Sequence, residues 1–270
     1  MQPTEGKTSL ADRPTAGKGL TFLQWLLLAL VLLAAAALRL YSIDWDSGTL
    51  PHPDERSTVA FYAPSIEWPQ DLISALDPHR SPLNPFWDVK GQHRRSYTYG
   101  HFPLYALVLM AGLFHRLAPL ADHLGLAGSV VQVMEQARSP VGYAYVGRFL
   151  MALADIATVY LVFLLGRRLY GGWAGILAAA LSAFTVLQIQ LAHFFAVDPV
   201  ATTFTLLALY GSILMVDRRG AGPAVLTGVG IGLAVASKYS ALPIVAAPLL
   251  AAFLSGRRSQ REGQGTRWNQ

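Results

Sequence analysis

The sequence predicts an all-α integral membrane protein, a helical bundle with a large first extracytoplasmic loop that carries helices of its own. Three observations predict it. Of the 270 residues, 53% are hydrophobic and only 14% charged, against about 25% charged in a soluble domain. The apolar residues gather in seven runs. Arginines fall in pairs between those runs, at Arg167-Arg168, Arg218-Arg219 and Arg257-Arg258. Paired cations at the ends of hydrophobic segments are topology signals. A nucleic-acid surface would gather them on one polar face, so no nucleic-acid partner is expected. The absence of cysteine excludes a disulfide, a thiolate metal site and a thiol nucleophile.

The elements follow in order. Residues 1–19 are polar and read as a disordered cytoplasmic tail. Residues 20–40 are apolar apart from Thr21, Gln24 and Arg39. At ~1.5 Å per residue they cross a ~30 Å core. They outrun the ~7–15-residue apolar core of a signal peptide and read as an uncleaved span. The outer loop is 41–144, and its first sixty residues hold eight of the sixteen acids with many aromatics and prolines. Loops of that length are functional or disordered, and the aromatics argue for order. Five further spans are expected at 145–165, 173–191, 199–216, 224–236 and 241–254, with a polar cytoplasmic tail at 255–270.

One run does not fit a crossing. A basic N-terminal tail and the Arg pairs on the cytoplasmic side require an odd number of crossings between the loop and Arg167, yet two apolar runs lie there. The run 102–117 is short, carries Pro103 and ends in His115-Arg116. Runs this short are often re-entrant or interfacial, so it is expected along the outer leaflet. The arrangement gives the cytoplasmic parts a net charge of +7 and the remainder −2.

This topology brings several polar residues to the outer face. Asp54 and Glu55 follow Pro53, a good first helical residue, and acids suit a helix's first turn. That accounts for them structurally. Functionally, a carboxylate raised in pKa by a neighbouring acid and partial burial is a general base. Arg148 either snorkels to the interface or holds an anionic phosphate. Asp155 lies seven positions on and either faces Arg148, bonds another helix or has a function of its own. Asp198 before Pro199 is a plausible N-cap. His193 has no evident partner and reads as interfacial, and the GVGIGLA stretch reads as close helix packing.

These residues carry a resemblance. HPDE after the first span, SPLNPF with YTYGHFPLYALVL, VGRFLMALADIATVYLVFLLGRRLYGGWAGILAAALSAF, HFFAVDPVATTF and LAVASKYSALPIV run in the order of the GT-C glycosyltransferases. The nearest likeness is to the branch of the protein O-mannosyltransferases and the lipid A aminoarabinose transferase, of which the chain resembles the N-terminal portion. The resemblance implies a polyprenyl-phosphate-linked sugar donor, an acceptor hydroxyl of unspecified identity and an active site on the extracytoplasmic side of the plasma membrane. It implies inverting transfer of a hexosyl or pentosyl group, with Asp54 as base, Glu55 assisting, and Arg148 and Lys238 on the leaving phosphate. Asp198, Tyr99 and His193 would line the substrate site. No cofactor is required by these motifs, and a divalent cation is left open. The chain is shorter than such enzymes usually are, which keeps an inactive lipid-phosphate-binding fragment or partner subunit as an alternative. A small permease using Arg148, Asp155 and Lys238 is a third reading, against which the long ordered loop argues.

Overall fold

A computed structural model describes residues 19–79, 81–86, 94–217 and 220–267. The expected Arg218-Arg219 turn, most of DVKGQHRR and nearly all of the N-terminal tail lie outside these residues. Every described helix or turn belongs to an all-α architecture, with no strand among the described residues. Among the described residues, five helices are long and apolar enough to cross a bilayer, or six if one bent pair counts as a single span.

Helix α1 (Phe22–Leu40) opens with a capping box in which Thr21 and Gln24 satisfy each other's backbone amides. The chain then turns through residues 41–52 into the short helix α2 (Pro53–Ser57), where His52 caps the amide of Glu55 and Pro53 supplies the preset first turn. A wider π turn over Thr58–Tyr62 and a 3₁₀ turn over Ala63–Ser65 continue it. Helix α3 is Leu72–Leu76, α4 is His101–His123 and α5 is Gly128–Glu135.

Helix α6 (Pro140–Tyr170) starts on a Ser139 cap with Pro140 in the first turn. It ends at Gly171, whose φ of 96° a side chain would strain. α7 (Gly172–Ala183) and α8 (Val186–Ala192) meet at a 59° bend. α9 (Asp198–Asp217) and α10 (Ala221–Ser237) form a hairpin. A 3₁₀ segment, Tyr239–Val245, then leads into α11 (Ala246–Arg267).

The bundle is built on α6, which packs against α1, α4, α7, α8 and α9, while α10 packs chiefly on α9. Small residues let the backbones approach. A methyl on Gly166 of α6 would lie 2.9 Å from the Gly175 Cα of α7, and one on Gly230 of α10 would lie 2.6 Å from the Ala208 amide of α9. One apolar core joins α1, α6 and α7 around Leu28, Ala35, Val159 and Phe163. A second lies at the other end of the bundle, where Leu104, Leu107 and Ala111 of α4 meet Tyr143, Val146 and Phe195.

Helix α4 runs longer than the 102–117 segment expected, because Pro119 does not end it. By length and composition it could also cross a bilayer. Its contacts lie at one end of the bundle. The Gly100 amide donates to Ser237 O at the end of α10, Phe102 meets Phe204 early in α9, and Phe114 meets Phe149 early in α6.

Candidate active site

The end of the bundle where α1, α8 and α10 stop and α6 and α9 begin collects the polar residues. Its centre is Arg148, fully buried about two turns into α6. All five of its N–H groups are taken. Nε donates to Glu55 Oε1 at 2.8 Å and Nη2 to Glu55 Oε2 at 2.7 Å. Nη1 and Nη2 donate to the two Asp46 oxygens at 2.8 Å each, and Nη1 also reaches Ile43 O at 2.7 Å. Both carboxylates are buried with it. Asp46 also accepts from the Gly48 and Leu50 amides. Hydrogen bonding to Arg148, reinforced by these amides, holds its carboxyl down to about 2 against the penalty of burial.

Glu55 accepts a further bond from the Phe195 amide at 2.9 Å. One guanidinium thus ties together the turn after α1, helix α2, the start of α6 and the segment before α9. Gly147 makes room for it. A methyl there would lie 2.6 Å from the Phe195 ring.

Neighbours on one short helix, Asp54 and Glu55 point to different surroundings. Glu55 is sealed against Arg148, whereas Asp54 is exposed. Beside Asp54 stands Tyr99, its hydroxyl pushed up to about 12 by burial first, then by the Asp54 carboxylate and the more distant Asp198. Lys238 Nζ donates to Asp198 Oδ1 at 2.6 Å, and both side chains keep more than a third of their surface open. A cavity of about 310 Å³ adjoins this pair, lined also by Thr202, Thr205 and Ser240. Asp54, Tyr99, Asp198 and Lys238 therefore share one open face. Arg148 and Glu55 lie beneath it.

His193, for which the sequence offers no partner, has two. Its ring nitrogens lie 2.8 Å from Ile189 O and 2.9 Å from Tyr41 O, joining α8 to the end of α1. Trp45 and His52 pack on Phe194 next to it. Asp155 pairs with Arg39 of α1, not with Arg148. Arg39 also donates to Ala183 O and Ser182 O, capping the end of α7 where the chain bends toward α8. Among the described residues no group of three or more His, Asp or Glu is placed to hold a metal ion.

Asp46 is the residue the motifs did not single out. It sits in an irregular turn where neither helical nor strand periodicity applies. Only its position among the loop acids marked it.

Residues 144–264 match the family model described as dolichyl-phosphate-mannose-protein mannosyltransferase. The matched region begins just before Arg148 and takes in Asp198 and Lys238, while Asp54 and Tyr99 precede it. The match covers under half of the chain, and it is this part that is similar to that family. No curated protein and no solved structure matches the chain.

Proposed function

We propose that the chain is a membrane glycosyltransferase that moves a sugar from a polyprenyl-phosphate donor to an acceptor hydroxyl at the extracytoplasmic face. The observation that carries this reading is the open face itself. An exposed carboxylate, a neutral phenol and an ammonium–carboxylate pair stand together in a chain whose α6–α11 region matches a mannosyltransferase family. The acceptor oxygen forms its bond to the anomeric carbon while the bond from that carbon to the phosphate oxygen breaks, with inversion. The acceptor proton passes to Asp54. The negative charge left on the polyprenyl phosphate is met by Lys238, and such stabilisation is often the largest catalytic contribution.

Arg148 takes a different part from direct phosphate binding. Its fork is filled, so it acts as a positioning residue that fixes Asp54 relative to Asp198 through Glu55 and Phe195. Glu55 likewise anchors α2 and leaves the base role to Asp54. His193 sets the α8 turn behind the site. Asp198 holds Lys238 until a donor phosphate competes for it. In this arrangement α4 lies along the outer surface of the bilayer, as its contacts with the ends of α6 and α10 favour.

The test is transfer from labelled polyprenyl-phosphate sugars to candidate acceptors in membranes, with products read by mass spectrometry. Asp54→Asn at unchanged expression should lower transfer by roughly a hundredfold or more. Full activity in that variant would refute the base assignment.

A further inference from the structure

A cavity separate from the one beside Lys238 opens between the end of α1 and helices α4, α5 and α6. It encloses about 430 Å³, within the ~300–1,000 Å³ usual for small-ligand sites. Leu40, Phe114, Val133 and Phe149 supply apolar wall, and the Phe114 and Phe149 rings pack with centroids 6.1 Å apart, joining α4 to α6. Ser42, Asp44 and Tyr145 supply the polar part. The two kinds are separated along the bundle. Ser42 and Asp44 follow the end of α1, and Tyr145 lies one turn, ~6 Å, nearer the start of α6 than Phe149. The exposed Tyr41 and Trp45 flank Ser42 and Asp44, as aromatics do at the headgroup level of a bilayer. The cavity therefore runs from that level toward the acyl chains.

Asp44 is the one charged residue among those described on the wall. Its carboxylate is exposed and receives no hydrogen bond or ion pair from a described residue. The cluster beside it offers no cation to spare, since one guanidinium is set there against both the Asp46 and Glu55 carboxylates. Lys238 is likewise held by Asp198. A ligand that fits must bring positive charge to one end of the cavity and hydrocarbon to the other. A primary ammonium suits the polar end. It has three N–H donors, and its bonds to a carboxylate are charge-assisted. A trimethylammonium carries the same charge and donates nothing. An anionic headgroup would meet Asp44 with like charge.

We infer that this cavity binds a bilayer phospholipid with a primary ammonium headgroup, the ammonium on Asp44 and one acyl chain against Phe114, Val133 and Phe149. Occupancy steadies the turn on which the candidate site depends. Ile43 O, between two of the polar wall residues, accepts from Arg148. Ser42 holds a φ of 53°, a left-handed conformation that a residue with a side chain adopts at a cost. The inference needs only that the chain lies in a bilayer and does not rest on the transferase reading.

The full chain in detergent is mixed with equal amounts of dioleoyl phosphatidylethanolamine, phosphatidylcholine and phosphatidylglycerol, and the lipids retained are counted by native mass spectrometry. Phosphatidylethanolamine should be retained at least about fivefold over either of the others, as hydrogen bonds to a charged group would give. In Asp44→Asn the preference should fall to about twofold or less. The Asp44 side chain bonds to no described residue, so this variant should melt like native protein in detergent alone. Val133→Trp, at a partly exposed wall position, should fill the cavity and cut retention of phosphatidylethanolamine by roughly fivefold. Added phosphatidylethanolamine should raise the melting temperature of native protein and of neither variant, because a ligand of the folded chain alone stabilises it. Equal retention of the three lipids, a preference for phosphatidylglycerol, a preference that survives Asp44→Asn, or unchanged retention in Val133→Trp would each overturn the site. Asp54→Asn should keep the native lipid preference. A loss of transfer with that preference intact therefore bears on the transferase reading and not on this cavity.

Discussion

Arg148→Lys is the perturbation that separates the two parts this residue could play. The native guanidinium makes five hydrogen bonds, four of them to the buried Asp46 and Glu55 carboxylates. A lysine ammonium has at most about three donors and no fork. At least two of the bonds must go, leaving buried carboxylate oxygens short of partners. At about 1.5–3 kcal/mol for each charge-assisted bond, the loss is on the order of 3–5 kcal/mol, the range found when a buried ion pair is broken. For a chain of this size each kcal/mol moves the melting temperature by about 2–4 °C, so a fall of roughly 10 °C is expected. The assay is thermal unfolding in detergent, with transfer kinetics run well below both transitions. The lysine variant should melt early and lose kcat through a displaced Asp54, with donor KM little changed. A variant that melts like native protein while donor KM rises tenfold would show that Arg148 grips the donor phosphate, and would refute the locking argument. Arg148→Met combined with Asp46→Asn and Glu55→Gln should recover most of the stability lost by Arg148→Met alone, since no uncompensated charge then remains.

Other expectations follow from the same contacts. Asp46 is lowered in the folded chain, so its contribution is fully present above its unfolded value and is lost as pH falls from about 4 through about 2. That is worth on the order of 2 kcal/mol, and denaturant melts should show this acid limb in native protein but not in Asp46→Asn. Gly147→Ala should force Phe195 away and weaken its amide bond to Glu55, lowering stability by about 1–3 kcal/mol together with transfer, read by melting and product formation. Tyr99, held up to about 12, should remain a neutral hydroxyl through the alkaline range. The alkaline limb of the transfer pH profile below about pH 11 should therefore be the same in Tyr99→Phe as in native protein. Because the chain has no cysteine, single cysteines at 54, 198 and 170 can be labelled without background. The first two should react with impermeant reagent from outside and the third only after permeabilisation.

The class of fold was legible because it follows from local, additive properties. Apolar run length, the scarcity of charge and paired arginines between runs suffice to predict a bundle of membrane helices, and among the described residues that is what the chain forms. Bends and irregular segments were less legible. The 59° break between α7 and α8 is held by Arg39 from a helix more than 140 residues earlier, so no local signal announces it. α4 outran its expected end because one proline inside an apolar run does not by itself end a helix.

The sequence by itself determined which residues near the span ends are chemically able to act, since acids and cations there are few and their types are plain. Asp54, Asp198 and Lys238 could each be picked out in this way, Tyr99 only through the family resemblance, and the four share an open face. Only the tertiary structure decided their relations. Asp54 and Glu55 are adjacent and alike in sequence, yet one faces solvent and the other is sealed beneath Arg148, with Asp46 as an unforeseen third member. The physical reason is that burial and partner choice for a charge depend on desolvation and on groups brought from distant helices, and both exist only after the bundle has packed.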